Sequence, residues 1–196
     1  MTHNYEKNGQ LIYNESFATI RSEAKLDHFS ADEEVVAVRM IHACGMVELA
    51  KSIFFYSNMA ILAREALEDG APILCDTRMV SEGITRARLP RNNEIICTLN
   101  DPSVPKLAIE IGNTRSAAAV ELWKSKIKGG VIAIGNAPTA LFHLLNLLED
   151  GLIESPAAII GCPVGFVGAK ESKVALSKTV GVPSLITKGR LGGSAI

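Results

Sequence analysis

The chain has 196 residues, of which 47% are hydrophobic and 21% charged, and its formal net charge is −1. This length and balance are typical of one globular domain. The near-zero charge argues against a nucleic-acid or membrane-surface protein, and we expect no transmembrane or signal segment. Four scattered cysteines without a C-x-x-C pair indicate a reduced, cytoplasmic protein without a metal site.

Helical patterns dominate the first seventy residues. Apolar spacing predicts helices over 11–25, 31–51 and 57–69. Ser30 and Glu33 have the spacing of a capping box, which places the start of the second helix at residue 31. These helices are expected to cover a sheet or a partner subunit.

A histidine and an arginine lie on the second predicted helix. His42 shares a face with Val38, Arg39 and Met46, and the rest of that face is apolar. One interpretation is a core histidine that bonds a backbone carbonyl. The other is an acid/base histidine at the wall of an apolar pocket, with Arg39 facing an anionic ligand.

Short apolar segments alternate with helical ones in the remainder of the chain. The predicted strands are 73–75, 95–99, 131–134, 157–160 and 184–187, and the predicted helices are 77–84, 113–128, 138–150 and 169–179. This alternation favours βαβ units. We therefore predict a single α/β domain over residues 1–196 with a Rossmann-like, mainly parallel sheet flanked by helices. Its helical part would span about 11–70 and its α/β part about 71–196.

A basic segment follows the first predicted strand. It contains Thr85, Arg86, Arg88 and Arg91, and Pro90 indicates a loop. The segment is either a solvated surface loop or a clamp for carboxylates or phosphates, which guanidinium groups bind through two hydrogen bonds.

Two turns resemble each other. Both 111–117 and 134–140 read Ile-Gly-Asn, two residues, a hydroxyl residue and Ala, and both lead into a helix. Such turns offer backbone N–H groups, an amide and a hydroxyl to an anion at a helix N-terminus. Ordinary helix capping is the alternative, although it explains the recurring Gly-Asn and Arg115 less well.

Several familiar motifs are missing from the sequence. There is no phosphate-binding P-loop, no G-x-S-x-G nucleophile elbow, and 161–168 is not a dinucleotide fingerprint. A nucleotide-dependent α/β enzyme stays open as a rival, although the chain lacks its glycine pattern.

Seven segments together resemble one family, precorrin-8X methylmutase, from about residue 10 to the end. They are Glu15-Ser16-Phe17-x-x-Ile20, Arg39-Met-Ile-His42-Ala-Cys44-Gly45, Ala71-Pro-Ile-Leu-Cys75-Asp76, Gly83-Ile-Thr85-Arg86, Glu110-Ile-Gly-Asn-Thr-Arg115-Ser-Ala-Ala, Ala133-Ile-Gly-Asn-Ala-Pro-Thr139-Ala-Leu and Pro163-Val-Gly-Phe-Val-Gly-Ala-x-Glu171-Ser-Lys. The resemblance also implies a further short helix after residue 195, and hence a truncated C-terminus.

The resemblance implies an isomerase of cobalamin biosynthesis that moves a methyl group between neighbouring ring C carbons. The product would be hydrogenobyrinic acid, or cobyrinic acid if the substrate is cobalt-precorrin-8. The resemblance further implies a homodimer without a separate cofactor, any cobalt being carried by the tetrapyrrole. A tetrapyrrole-binding protein without chemistry is the remaining alternative.

The resemblance also assigns roles to residues. His42 would be the proton donor, and Arg39 would orient it or bind a carboxylate. Ring substituents would be bound by Ser16, Thr85, Arg86, Arg115, Ser116, Asn136 and Thr139. Arg88 and Arg190 are further candidates.

Overall fold

The structure is a computed structural model that describes residues 2–196. The chain divides into two compact units, of which the first ends at Lys51 and the second runs from Ser52 to Ile196. Within residues 2–196, no helix has both the length and the apolar character needed to span a membrane.

The first unit is a pair of packed helices. They are α1 (Gly9–Glu23) and α2 (Ala31–Cys44), followed by a 3-10 turn over Val47–Ser52. The capping box at the start of α2 is confirmed, because the Ser30 hydroxyl accepts from the Glu33 N–H and the Glu33 carboxylate accepts from the Ser30 N–H.

Helix α2 is shorter than predicted, and its buried face differs from the one expected. Gly45 adopts a left-handed φ of 69° and ends the helix at Cys44, because glycine enters this conformation without a Cβ clash. The buried residues of α2 are Ala37, Val38, Met40 and Ile41. His42 is half-buried beside this stripe, and Arg39 and Met46, which share its face, are exposed.

The second unit contains a six-stranded sheet in the order β1-β6-β5-β4-β2-β3. The strands are β1 (Ile53–Tyr56), β2 (Ile73–Cys75), β3 (Ile95–Ile96), β4 (Val131–Ile134), β5 (Ala158–Gly161) and β6 (Ser184–Thr187). All neighbours pair in parallel except β1, which pairs antiparallel to β6. The mainly parallel α/β fold is therefore confirmed.

Helices connect the strands and flank the sheet. They are α3 (Met59–Glu68), α4 (Arg78–Gly83), α5 (Val104–Glu110), α6 (Arg115–Glu121), α7 (Lys124–Ile127), α8 (Pro138–Glu149) and α9 (Ala169–Lys178). The main core joins Leu74, Ile132 and Ile159 to the apolar side chains of α6, α8 and α9. Alternate strand residues such as Cys75 and Ala133 belong to a second cluster, as expected when successive side chains point to opposite faces.

Three further elements differ clearly from the sequence prediction. Strand β1 was not predicted, strand β3 has two residues instead of five, and the predicted helix 113–128 is divided into α6 and α7. The break falls at Leu122 and Trp123, where the Trp123 ring is fully buried in the main core. The Trp123 ring packs into this core where the helix is interrupted, between Glu121 and Lys124.

Candidate functional site

His42 is held by a hydroxyl and two aromatic rings of the first unit. The Ser16 Oγ lies 2.8 Å from Nδ1 of His42. The rings of Tyr13 and Phe17 have centroids 5.4 and 5.2 Å from the imidazole centroid. Because residues 13, 16 and 17 share one face of α1, a single packing contact between α1 and α2 assembles this cluster.

Arg39 completes the cluster one turn before His42 on α2. Its guanidinium carbon lies 5.8 Å from the Tyr13 centroid and 5.5 Å from the Phe17 centroid, within the range of cation–π attraction. The rest of the side chain is exposed. Arg39 thus presents a fixed positive charge beside the imidazole.

His42 also lines a cavity of about 390 Å³ within the first unit. Its other lining residues are Ile12, Glu15, Ser16, Thr19, Ile20, Glu23, Ile41, Gly45 and Val47. This volume lies in the range of roughly 300–1,000 Å³ that is usual for small-molecule sites. The structure therefore meets the expectation that the histidine borders a pocket.

The second unit contains a buried carboxylate at the carboxyl ends of its parallel strands, which we call the carboxyl edge. Asp76 follows β2, and its carboxylate accepts hydrogen bonds from the N–H groups of Gly135, Asn136 and Ala137 at 3.1, 2.9 and 2.7 Å. Burial raises the pKa of the Asp76 carboxyl above its usual range, and these three hydrogen bonds oppose the rise. The backbone donors at the start of α8 are therefore occupied by the chain itself.

Because Asp76 binds these N–H groups, the turn at 134–140 offers a ligand side chains and not its backbone. The sequence indicated that the turn at 134–140 could offer backbone N–H groups to an anion, but the anion there is Asp76. What the turn leaves for a ligand are the side chains of Asn136 and Thr139, which are both half-buried.

The two similar turns meet through one threonine of each. The Thr114 and Thr139 hydroxyls are 2.8 Å apart, and Thr114 also caps α6 by accepting from the Ala117 N–H. Next to this contact, Arg115 donates from Nη2 to the Leu99 carbonyl at 3.3 Å. Thr114 thus both caps a helix and contacts the other turn.

The basic loop lies at the same carboxyl edge. Residues Arg86–Arg88 form a 3-10 turn, and Thr85, Arg86 and Arg88 are exposed. Burial raises the pKa of the Cys75 thiol to about 12, and the Arg86 guanidinium is close enough to oppose that rise. Arg86 therefore lies near the end of β2.

Ser116 and Arg190 are the remaining predicted residues. Ser116 is half-buried at the start of α6, and the Arg190 guanidinium carbon lies 5.1 Å from the centroid of the exposed Phe166 ring. His143 on α8 is partly buried and pairs with Glu121, their Nε2 and Oε1 atoms being 2.6 Å apart.

Sequence reasoning missed three residues of these clusters. The i,i+4 spacing of Tyr13 and Phe17 on either side of Ser16 could have placed both rings beside His42. Asp76 could have been found from its position after a buried strand, because parallel strands bring their carboxyl ends to one edge. Among residues 2–196, no group of three or more His, Cys, Asp or Glu side chains could hold a metal ion.

Comparison with known proteins places this chain in one family. A model of the precorrin-8X methylmutase family matches residues 11–196. The chain is 58% identical to precorrin-8X methylmutase of a Sinorhizobium species, over 99% of this chain and 92% of that protein. It is 36% identical to cobalt-precorrin-8 methylmutase of Methanocaldococcus jannaschii, over 97% and 90% of the two chains.

A solved structure agrees with these sequence matches. The precorrin-8X methylmutase of Thermus thermophilus superposes with a TM-score of 0.86 at 37% identity, covering 95% of this chain and 90% of that one. The sequence matches and the structural superposition thus agree over nearly the full length of the chain. The chain belongs to the precorrin-8X methylmutase family and is an isomerase of cobalamin biosynthesis.

Proposed function

We propose that this chain rearranges the cobalt-free substrate precorrin-8X to hydrogenobyrinic acid, with His42 as the proton donor. The observation that carries the proposal is an imidazole at the wall of a cavity, with one nitrogen bonded to Ser16. This arrangement leaves the other ring nitrogen, Nε2, to act on a bound ligand.

A proton transferred to the conjugated ring would draw electron density towards the carbon that accepts the methyl group. The methyl group would then migrate between neighbouring carbons of ring C, and the proton would return to His42. The atoms of substrate and product balance without an oxidant or a methyl donor. General acid catalysis of this kind contributes roughly 10²–10⁴-fold in rate.

The charges in the cavity constrain how the substrate would bind. Glu15 and Glu23 line the cavity with His42, so the acetate and propionate arms of the ring would point away from these carboxylates. Arg39 supplies a positive charge on the same helix as His42 and would bind one arm.

We propose independently that residues of the second unit bind ring substituents. We assign this role to the side chains that offer positive charge or hydrogen bonds at the carboxyl edge, namely Thr85, Arg86, Arg115, Ser116, Asn136 and Thr139. We also propose that Ser16 orients the imidazole, because its hydroxyl is hydrogen-bonded to His42; its role in binding a ring substituent stays a prediction. The three backbone donors held by Asp76 are excluded from arm binding.

The identities support the cobalt-free substrate. The precorrin-8X methylmutase relative is 58% identical, whereas the cobalt-precorrin-8 methylmutase relative is 36% identical.

The test is to incubate the protein separately with precorrin-8X and with cobalt-precorrin-8 and to follow the absorption spectrum. Faster conversion of precorrin-8X supports the proposal, and faster conversion of the cobalt form overturns it. Binding without any conversion would indicate a carrier protein.

We further propose a cytoplasmic homodimer that uses no cofactor beyond what the substrate carries. The four free cysteines fit a reducing compartment. Several large apolar side chains of the first unit are exposed and would be covered by a second copy, namely Leu11, Ile12, Val35 and Met46. Light scattering of the purified protein tests this expectation, since replacing Val35 by Lys should then yield monomers.

A further inference from the structure

A buried lysine lies behind the carboxyl edge of the second unit. Lys173 is on α9 and is 1% exposed, and its Nζ donates a hydrogen bond to the Leu191 carbonyl. Burial lowers the pKa of Lys173 to about 8. Buried lysines are uncommon because their amines must find acceptors, so this contact needs an explanation.

The lysine contacts the chain after β6, which we call the 189–196 segment. The Leu191 carbonyl also accepts from the Thr187 hydroxyl at 2.8 Å, so two side chains hold one backbone oxygen. Two residues further on, the Gly193 N–H donates to the Cys162 carbonyl at 2.9 Å. These bonds fix the segment across the ends of β5 and β6.

The path of this segment allows no side chain at Gly192. Its φ of 153° lies in the region that favours glycine, and an added Cβ would lie 2.3 Å from the Cys162 carbonyl oxygen. The backbone of the segment therefore lies directly against the end of β5.

The segment then contacts the turn that carries Asn136. An added Cβ on Gly135 would lie 3.0 Å from Cα of Ser194 and 3.3 Å from the Gly193 carbonyl oxygen. Ser194 is also near the end of α4, 4.0 Å from the position of an added Cβ on Gly83. The 189–196 segment thus packs on one side of the Gly135–Asn136 turn, while Asp76 binds its N–H groups.

We propose that Lys173 is a positioning residue for substrate binding: by holding the Leu191 carbonyl, it keeps the 189–196 segment against the Gly135–Asn136 turn and thereby orients Asn136. This inference rests on the proposed role of Asn136 in binding a ring substituent. Lys173 is covered by the segment and acts through it.

The first test needs no substrate. Replacing Lys173 by Met keeps the length and packing of the side chain but removes its donors. Amide hydrogen exchange should then become faster at Gly193 and at Asn136, relative to wild type and to Lys170→Met, an exposed position on the same helix. Unchanged exchange at Asn136 would overturn the proposal, because the lysine would then not act on the turn.

The second test separates binding from chemistry. In Lys173→Met the KM for precorrin-8X should rise by about tenfold, as expected for one lost hydrogen bond from a charged group, while kcat stays within about twofold. Equal losses in kcat and in folded protein would indicate a structural role only and overturn the proposal.

Two further measurements keep the inference distinct from the proposed function. If Lys173→Met fails to fold, Thr187→Val removes the second donor to the same carbonyl and should shift KM in the same direction. Wild-type turnover reports on the proposed function alone. An active wild type with an unchanged KM in both variants would overturn the role of Lys173, whereas an inactive wild type would overturn the proposed function.

Discussion

The Ser16 hydroxyl lies 2.8 Å from Nδ1 of His42, although the two residues are 26 positions apart in the sequence. When the hydroxyl donates to Nδ1, the proton of the neutral imidazole lies on Nε2. In the charged imidazole Nδ1 donates to the hydroxyl, and Nε2 still carries a proton. Because the contact occupies Nδ1, Nε2 is the nitrogen through which the proposed proton transfer would run.

Replacing Ser16 by Ala should lower kcat by about tenfold with little change in KM, because an unheld imidazole loses its orientation but the cavity remains. Steady-state kinetics with precorrin-8X measures both constants. Ser22→Ala is the matched control, since this hydroxyl on the same helix donates to the Thr19 carbonyl. A rise in KM at unchanged kcat would instead assign Ser16 to substrate binding.

Replacing His42 by Ala should reduce kcat by roughly 10²–10⁴-fold, the contribution expected of a general acid. Binding of hydrogenobyrinic acid, followed by its absorption spectrum, should persist because the cavity walls stay in place. His3→Ala provides a histidine control on the exposed N-terminal segment. Normal turnover by the His42 variant would disprove its role as proton donor.

Replacing Arg86 by Met should raise the KM for precorrin-8X about tenfold and weaken its dependence on salt, since one charge-assisted contact to a carboxylate is lost. The control is Lys128→Met, which removes one positive charge from an exposed pair with Glu154 before β4. A KM shift of equal size in both variants would show that overall charge is responsible.

The sequence predicts best those elements that have strong local signals. Strand β4 and helix α8 were found because a buried apolar run is followed by a glycine turn and a proline at the helix start. Strand β1 was missed because Ile53–Tyr56 has no breaker between it and the preceding helical pattern. Its identity as a strand comes from pairing with β6, more than a hundred residues away in the sequence.

In the candidate site, too, local patterns were predicted and contacts between distant residues were not. Ser16, Arg39 and His42 could be identified from the sequence, but the contact between Ser16 and His42 depends on how α1 packs against α2. Likewise, Asp76 and the Gly135–Ala137 amides are about 60 residues apart. Local patterns identified the turn as an anion site without revealing that its anion is internal.

Replacing Asp76 by Ala should lower the free energy of unfolding by at least about 2 kcal/mol, because three backbone donors lose their acceptor where water has little access. Asp76→Asn keeps one acceptor oxygen and should fall between Ala and wild type. Urea denaturation measures the series, with the exposed Asp69→Ala as control. Equal stability of the Ala variant and wild type would contradict this.

Lys173 should make stability depend on alkaline pH. Its pKa is lowered to about 8 in the folded chain from the ordinary 10.5, so between these values unfolding takes up a proton. The wild-type free energy of unfolding, relative to Lys173→Met, should therefore rise as the pH increases from about 8 towards 10.5 and stay constant below about 7. Denaturation of both proteins at pH 7, 8 and 9.5 measures this difference, and a constant difference would refute it.

The carboxylate of Asp76 also determines which ligands this edge of the sheet can accept. In open α/β folds, phosphate groups of nucleotides commonly settle on the first amides of a helix that follows a strand. Here the buried Asp76 carboxylate binds these amides, so an incoming phosphate would be repelled by it and would have to displace it. These amides are thus closed to external anions in the resting protein before any substrate arrives.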